Sequence, residues 1–247
     1  MARLHTHRGV EAALERGDLS EWKAMRYRSF DRTMTEDDPP FPCYFATDAH
    51  EDGHIRYLFA PSEATEAGKA AVADSLETYL DSARDIADLT SMAVFFEPPS
   101  GELGLETYRE RFWDLLGYLH RHDPAPWPDE IPVDPGDPEW EFCYAGEPVF
   151  MVARAPCYER RRSRYTPHGL EITVQPRWVF DGLGGDTEEG QRARKIIRGR
   201  LAEYDDVARH PDIGDYGAPG VHEWEQYVLP DDNEERRGGF PIDGWSG

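Results

Sequence analysis

At 247 residues the chain is long enough to bury one sizeable core, and with 39% hydrophobic and 12% aromatic residues it is too apolar to be disordered. A formal charge of −22 excludes nucleic acid and an anionic membrane as main partners, since both require a basic footprint. No window approaches the ~20 apolar residues of a membrane helix, and the opening MARLHTHRGVEAALERGD lacks the apolar core of a secretory signal, so a cytoplasmic location is expected.

The first forty residues carry two short helical patterns, 10–16 and 19–30, the second with Asp18 as its N-cap. The run Asp37-Asp38-Pro39-Pro40 closes that region, because proline disfavours helix at and before itself. Residues 55–60 read as a strand, β-branched and aromatic in part and stopped by Pro61. Over 69–89 the residues Val72, Leu76, Tyr79, Leu80, Ala83 and Ile86 recur at three- and four-residue steps, which predicts a helix with one buried face. The apolar run 92–96, ended by Pro98-Pro99, predicts a buried strand. A second amphipathic helix is predicted over 106–121, with Tyr108, Phe112, Leu115, Leu116 and Leu119 on its apolar face.

Prolines recur from Pro124 to Pro138 and forbid regular structure there, leaving an ordered extended loop or a mobile cover. Segments 140–144 and 149–153 are strand-like on either side of Ala145-Gly146, a hairpin signal. Segment 170–180 is a further strand, and Pro176 inside it implies an edge position or a bulge. A third long helix is expected over 191–207 through Ile196, Ile197, Leu201 and Tyr204, then a short strand over 224–229. Strands and helices alternate early and mix irregularly later. The fold class is therefore α+β, a single domain over 41–230 with a central, largely antiparallel or mixed sheet and packed helices. A helical extension is expected over 1–40 and a flexible polar tail over 231–247.

Familiar catalytic signatures are absent: there is no GxGxxG, P-loop, HExxH, GxSxG or EF-hand loop. Cys43, Cys143 and Cys157 form no C-x-x-C pair, which suits a reducing compartment. Of 27 Lys and Arg residues only Lys23, Lys69 and Lys195 are lysine, against 49 Asp and Glu, a composition expected of a halophilic surface whose self-repulsion is screened by salt. His50 and His54, spaced i,i+4 around Gly53, read as solvated loop histidines, and His5 and His7 as members of a fraying terminus. Cys43, within Phe41-Pro42-Cys43-Tyr44-Phe45-Ala46, reads by default as a small buried hydrophobe. Arg160, Arg161, Arg162 and Arg164 form a basic cluster that could bind an anionic ligand or pair internally with carboxylates.

An ordered set of longer strings goes further. FPCYFA at 41–46, FWDLLGYLHRHDPAPWP at 112–128, EWEFCYAGEPVFMVARAP at 139–156, RRSR at 161–164, QPRWVFD at 175–181, YDDVARHPDIGDYG at 204–217 and EWEQYVL at 223–229 resemble the YqcI/YcgG family in fixed order. That resemblance implies a haem-dependent N-oxygenase hydroxylating a guanidino or amine nitrogen of an amino-acid-like small molecule. Haem b would be the cofactor, with molecular oxygen, an external reductant and a redox partner to deliver electrons. Two other readings stay open: a non-catalytic haem-binding or haem-sensing protein, and a haem-free protein that binds a small metabolite.

A haem site needs an axial ligand, partners for two propionates, an apolar slot and an open distal face. His120, on the helical face of Leu116 and Phe112, is the axial candidate and hence the metal ligand; Asp123 is placed to orient its ring, and His168 and His210 are the remaining histidines considered. Cys43 could line the pocket or ligate as a thiolate. Arg161, Arg164 and Arg177 could pair with propionates, and Trp113, Phe142, Phe150 and Trp178 could wall the ring. A cationic substrate would want a buried carboxylate, for which Glu141 and Glu147 are the candidates and Glu97 a weaker one. The proline-rich loop could cover the pocket.

Overall fold

The apolar runs 55–60 and 91–96 become the middle of one sheet. The computed structural model describes residues 3–184, 187–234 and 238–245. Strands β2 (Ile55–Ala60) and β3 (Ser91–Phe96) lie parallel, with Ile55 opposite Ser91, and α4 (Glu66–Ile86) is the crossover that parallel pairing requires. β6 (Glu171–Pro176) pairs antiparallel with β3 on one side and with β5 (Glu147–Arg154) on the other, and the short β4 (Cys143–Tyr144) pairs with β5. At the far edge β1 (His5–Thr6) pairs antiparallel with β2, which gives a six-stranded sheet of order β1-β2-β3-β6-β5-β4. The chain is thus a single α+β domain with a mixed, mostly antiparallel sheet.

Side chains alternate across a strand, so the sheet has two distinct faces. On one, Leu58, Met92, Val94, Met151, Ile172 and Val174 meet α4 and α5 (Leu105–Arg121), whose buried residues include Phe112, Leu116 and Leu119. On the other, Ile55, Tyr57, Phe59, Ala93 and Phe95 meet Val10 of α1 (His7–Arg16) and Tyr27, Phe30 and Met34 of α2 (Glu21–Thr35). Strand β3 is buried along its whole length, which is why it reads as continuous apolar sequence rather than alternation.

Several expectations need correction. The first forty residues are no extension: β1 joins the sheet and α1 and α2 build its second core, where the Tyr27 hydroxyl and His7 Nδ1 are hydrogen-bonded at 3.0 Å. Asp18 does not cap α2, which starts after Ser20; its carboxylate pairs with Arg16 at 2.6 Å instead. His50 is not in a solvated loop. It closes α3 (Tyr44–Glu51), a helix too short to show a period, and is buried with Nδ1 on the Tyr57 hydroxyl at 2.8 Å and Nε2 on Asp31 at 2.9 Å. Both α4 and α6 (Glu188–Tyr204) begin a turn earlier than predicted, because Thr65 and Thr187 cap them by accepting from the N–H of Gly68 and Gly190.

Strand β6 is central rather than an edge, yet Pro176 is tolerated because the pairing with β3 has already ended at Val174. Beyond it the chain turns through a 3₁₀ helix, Arg177–Phe180. Residues 224–229 form no strand; Glu223–Gln226 is 3₁₀, and one main-chain bond, from the Ala153 N–H to the Tyr227 carbonyl, ties it beside β5. The predicted hairpin is present, with Ala145 and Gly146 both left-handed at φ 51° and 77°. In the C-terminal segment, Phe240, Ile242 and Trp245 pack against the first core, so these residues are not a loose polar tail. No helix among the described residues is long and apolar enough to cross a membrane.

Candidate active site

Two adjoining cavities lie beside the end of β5 and β6. They share Phe150, Phe180 and Gln226, and their volumes are about 230 and 240 Å³. The first is polar at one end, where Arg177, at the start of the 3₁₀ turn that ends β6, reaches two acids at once. Its Nε lies 3.2 Å from Glu141 Oε1 and its Nη1 2.9 Å from Glu223 Oε2. Glu141 is 1% exposed and Glu223 4%, whereas Arg177 is 25% exposed and lies 3.6 Å from the Tyr216 ring centroid. The Tyr227 hydroxyl donates to Glu223 Oε1 at 2.9 Å, and the second oxygen of Glu141 has no hydrogen-bond partner.

Two buried acids sharing one cation cannot both ionise cheaply. Burial, then the charge of Glu141, pushes Glu223 up to about 8 against the pull of Arg177. Burial likewise pushes Glu141 up, opposed by Arg177 and Tyr216. Near neutral pH the pair therefore holds a proton that an incoming cation can displace. Glu223 lines the first cavity, together with Tyr216 and Arg194, while Glu141 stands behind the same guanidinium.

The second cavity lies on the α1–α3 face of the sheet, where β5 and β6 present Phe150, Val152, Thr173 and Gln175 and α6 presents Ile197 and Leu201. Cys43 lines it from just before α3, as does Met34 of α2. Burial pushes the Cys43 thiol up, and the N–H groups of Ala46 and Phe45 oppose that shift. Arg154 and Arg164 also line it. Arg154 pairs with Glu171 at 2.6 Å and donates to the Tyr165 carbonyl at 2.7 Å, and its Nε has no partner. Arg164 donates to the carbonyls of Tyr227 and Gln226 at 3.2 and 3.0 Å, fixing the segment that carries Glu223 and Tyr227.

The structure brings together Cys43 and Arg164 at one cavity and Arg177 and Glu141 at the other, with Phe150 between them. It does not bring the remaining candidates to either. His120 is on α5, across the sheet from the Cys43 cavity, half-buried and stacked on Trp245 at 4.1 Å with Trp127 at 6.2 Å. Arg161 is fully buried and donates to the Pro230 carbonyl at 2.7 Å and to Asn233 at 2.8 Å. Glu147 makes a surface pair with Arg84 at 3.7 Å. Trp113 and Phe142 are core residues of the α5 face, and Trp178 lies under Arg84. His210 is held by Asp212 at 3.3 Å. Of the proline-rich loop, Pro135 supplies a carbonyl that accepts from Trp224, which fastens the loop to the domain, while the bond from Trp127 to the Ile131 carbonyl lies within the loop itself. Sequence reasoning missed Glu223, Tyr227 and Arg154. All three lie in the strings EWEQYVL and EPVFMVARAP, but only tertiary contact shows that Glu223 faces the cation of QPRW.

The model of the YqcI/YcgG family matches residues 30–243. YcgG of Bacillus subtilis (strain 168) is 36% identical over 221 residues, 88% of this chain and 87% of that protein, and YqcI of the same strain is 34% identical over 220 residues, 88% and 86%. A Streptomyces lavendulae protein named "putative N(omega)-hydroxy-L-arginine synthase DcsA" is 32% identical over 224 residues, 89% of this chain and 83% of its own. No solved structure matches.

Proposed function

The chain belongs to the YqcI/YcgG family, and from that premise we propose that it is a haem-dependent N-oxygenase acting on a guanidino or amine nitrogen of an amino-acid-like small molecule. The observation that carries the reading is the Glu141–Arg177–Glu223 cluster: two buried acids on one arginine form a receptor for a second cation. The name of the Streptomyces lavendulae relative points the same way, since Nω-hydroxyarginine is a hydroxylated guanidine. A reducing cytoplasm suits the three free thiols.

Among the described residues no three His, Cys, Asp or Glu side chains gather to hold a metal ion, so iron here would take most of its ligands from a porphyrin. The Cys43 cavity has the chemistry that a haem needs: apolar walls, a soft sulfur donor, and two arginines, one with an unpartnered Nε, to face carboxylates. Arg154 and Arg164 would hold the propionates. When bound, haem would supply oxygen activation with two electrons from an external reductant. In balance, an N–H, oxygen, two electrons and two protons give an N–OH and water.

The chain's own residues would do the rest. Glu223 receives the cationic end of the substrate at Oε2, Tyr227 fixes the opposite oxygen, and Arg177 neutralises Glu141 behind it. Phe150 and Phe180, common to both cavities, give the wall between them an apolar surface.

The test supplies the purified chain with haem, a reductant and oxygen and offers L-arginine and simple amines. A product carrying one added oxygen on nitrogen is expected, and Glu223→Gln should lower kcat/KM by about 100-fold, the cost of a buried charge pair. No product from any cationic substrate would reject the reading. Each cavity is smaller than the roughly 300 Å³ at which ligand pockets usually begin, which favours a second reading, a haem-free protein binding a small metabolite. A Soret band in the purified chain would exclude it.

A further inference from the structure

We propose that Tyr57 and Tyr27 form a redox-active pair, each phenol giving up an electron to a one-electron oxidant while its proton passes to a histidine. This does not rest on the haem reading above. Two chains of the same composition stand side by side in the core beneath α1 and α2. In the first, His50 Nδ1 lies 2.8 Å from the Tyr57 hydroxyl and its Nε2 2.9 Å from Asp31 Oδ1. In the second, His7 Nδ1 lies 3.0 Å from the Tyr27 hydroxyl and its Nε2 3.3 Å from Glu11 Oε1. A carboxylate only accepts, so each Nε2 carries the hydrogen and each Nδ1 accepts from its tyrosine. Both tyrosines are buried, whereas Asp31 is 42% exposed and Glu11 52%. Each chain thus runs from a dry phenol to a solvated acid.

Burial raises both phenols well above the ordinary tyrosine value, so neither ionises alone and the proton leaves only with the electron. Burial also holds His50 below the ordinary histidine value, against its bond to Asp31, so the ring is neutral near neutral pH and ready to take that proton. Oxidation of Tyr57 then gives a neutral phenoxyl radical, a His50 imidazolium paired with Asp31, and an oxidant reduced by one electron. The two phenol rings meet edge to face at 5.3 Å. An electron from Tyr27 refills Tyr57, with the His50 proton returning to Tyr57 and the Tyr27 proton moving to His7. The two imidazoles are 4.9 Å apart, so mutual repulsion allows one charged histidine at a time and hence one oxidised tyrosine. Phe30 packs against His50 and Tyr57, at 5.6 and 6.0 Å between ring centroids, and also lines the cavity that holds Cys43. An oxygen-derived radical arising in that cavity is therefore one ring away from Tyr57.

The test uses the full chain without added haem, a photogenerated ruthenium(III) polypyridyl complex as the oxidant, and high-field electron paramagnetic resonance of frozen samples. The wild type should yield a persistent tyrosyl signal whose g tensor shows a hydrogen bond from a cation, with that coupling exchanging in heavy water. Radicals on exposed tyrosines such as Tyr165 decay by coupling between molecules, so persistence marks the buried pair. Tyr27→Phe combined with Tyr57→Phe removes only two hydroxyls and should abolish the signal. In Tyr27→Phe alone the Tyr57 chain remains, and adding His50→Gln there should slow radical formation by about 100-fold, the usual worth of a positioned proton acceptor. Asp31→Asn in the same background changes a half-exposed side chain and should slow it too; thermal melts show which variants remain folded. No persistent signal in the wild type, a persistent signal in the double Phe variant, or formation unslowed by Asp31→Asn or by a folded His50→Gln variant would each overturn the proposal.

Discussion

Glu223 shows how one residue can acquire a function from its neighbours. An exposed glutamate is ionised at neutral pH; this one is buried, and burial together with the charge of Glu141 pushes its carboxyl up to about 8 against the pull of the Arg177 they share. Between the ordinary carboxylate range and pH 8 the native chain then binds more protons than the unfolded chain. Stability should therefore fall as pH rises through that window, and Glu223→Gln, which cannot ionise, should flatten the fall. Urea midpoints at several pH values check this, and a Glu223→Gln slope equal to wild type would refute it. Removing Arg177 leaves two buried acids without their cation. Arg177→Ala should cost about 3 kcal/mol, and the double variant with Glu223→Gln should be more stable than Arg177→Ala alone.

Three helices open with the same device. Thr6, Thr65 and Thr187 each accept from the N–H of the glycine three residues on, Gly9, Gly68 and Gly190. At Gly68 a Cβ would lie 2.1 Å from the Ser62 carbonyl oxygen, and at Gly190 2.1 Å from that of Gly184, so both glycines are set by close backbone approach. Gly199, in the exposed middle of α6, has nothing within 4 Å of a Cβ. The same change should therefore have opposite signs: Gly68→Ala should destabilise by about 1–3 kcal/mol, and Gly199→Ala should stabilise by about 0.5–1 kcal/mol. Thermal melts of the two single variants decide it; two shifts of the same sign would show that helix propensity or local relaxation dominates. The hairpin turn follows the same logic, since Ala145 and Gly146 both take left-handed φ values that match the twist of the paired strands.

Across the whole molecule, the sheet separates two cores and assigns each a task. The α4–α5 face, closed by Phe240 and Trp245, is packed with aromatic rings. The other face, beneath α1–α3 and α6, leaves the cavity lined by Cys43 and Arg154. Around both lies a surface carrying a formal charge of −22, whose self-repulsion opposes compaction. Salt screens such repulsion, so Tm should be higher in molar salt than in dilute buffer, each kcal/mol relieved being worth about 2–4 °C. An equal or higher Tm in dilute buffer would show that the acidic surface costs the fold little.

The sequence by itself determined the main elements, because period and punctuation are local properties. Residues 55–60 stand as the strand expected, α5 begins one residue from its predicted start, and the hairpin turn falls on Ala145-Gly146. It also carried the family, through strings long enough to be specific. Only tertiary structure decided which residues meet. His120 shares the helical face of Phe112 and Leu116, but that face looks toward the Trp245 core and not toward Cys43. Glu141 was legible as a buried acid, whereas Glu223 was not, because its burial comes from Arg177 and Tyr227 folding over it. Arg161 and Arg164 read alike in sequence, yet one anchors the chain at Pro230 and the other lines a cavity. Local spacing sets the face of an element on which a side chain lies, and the packing of distant segments sets what that face meets.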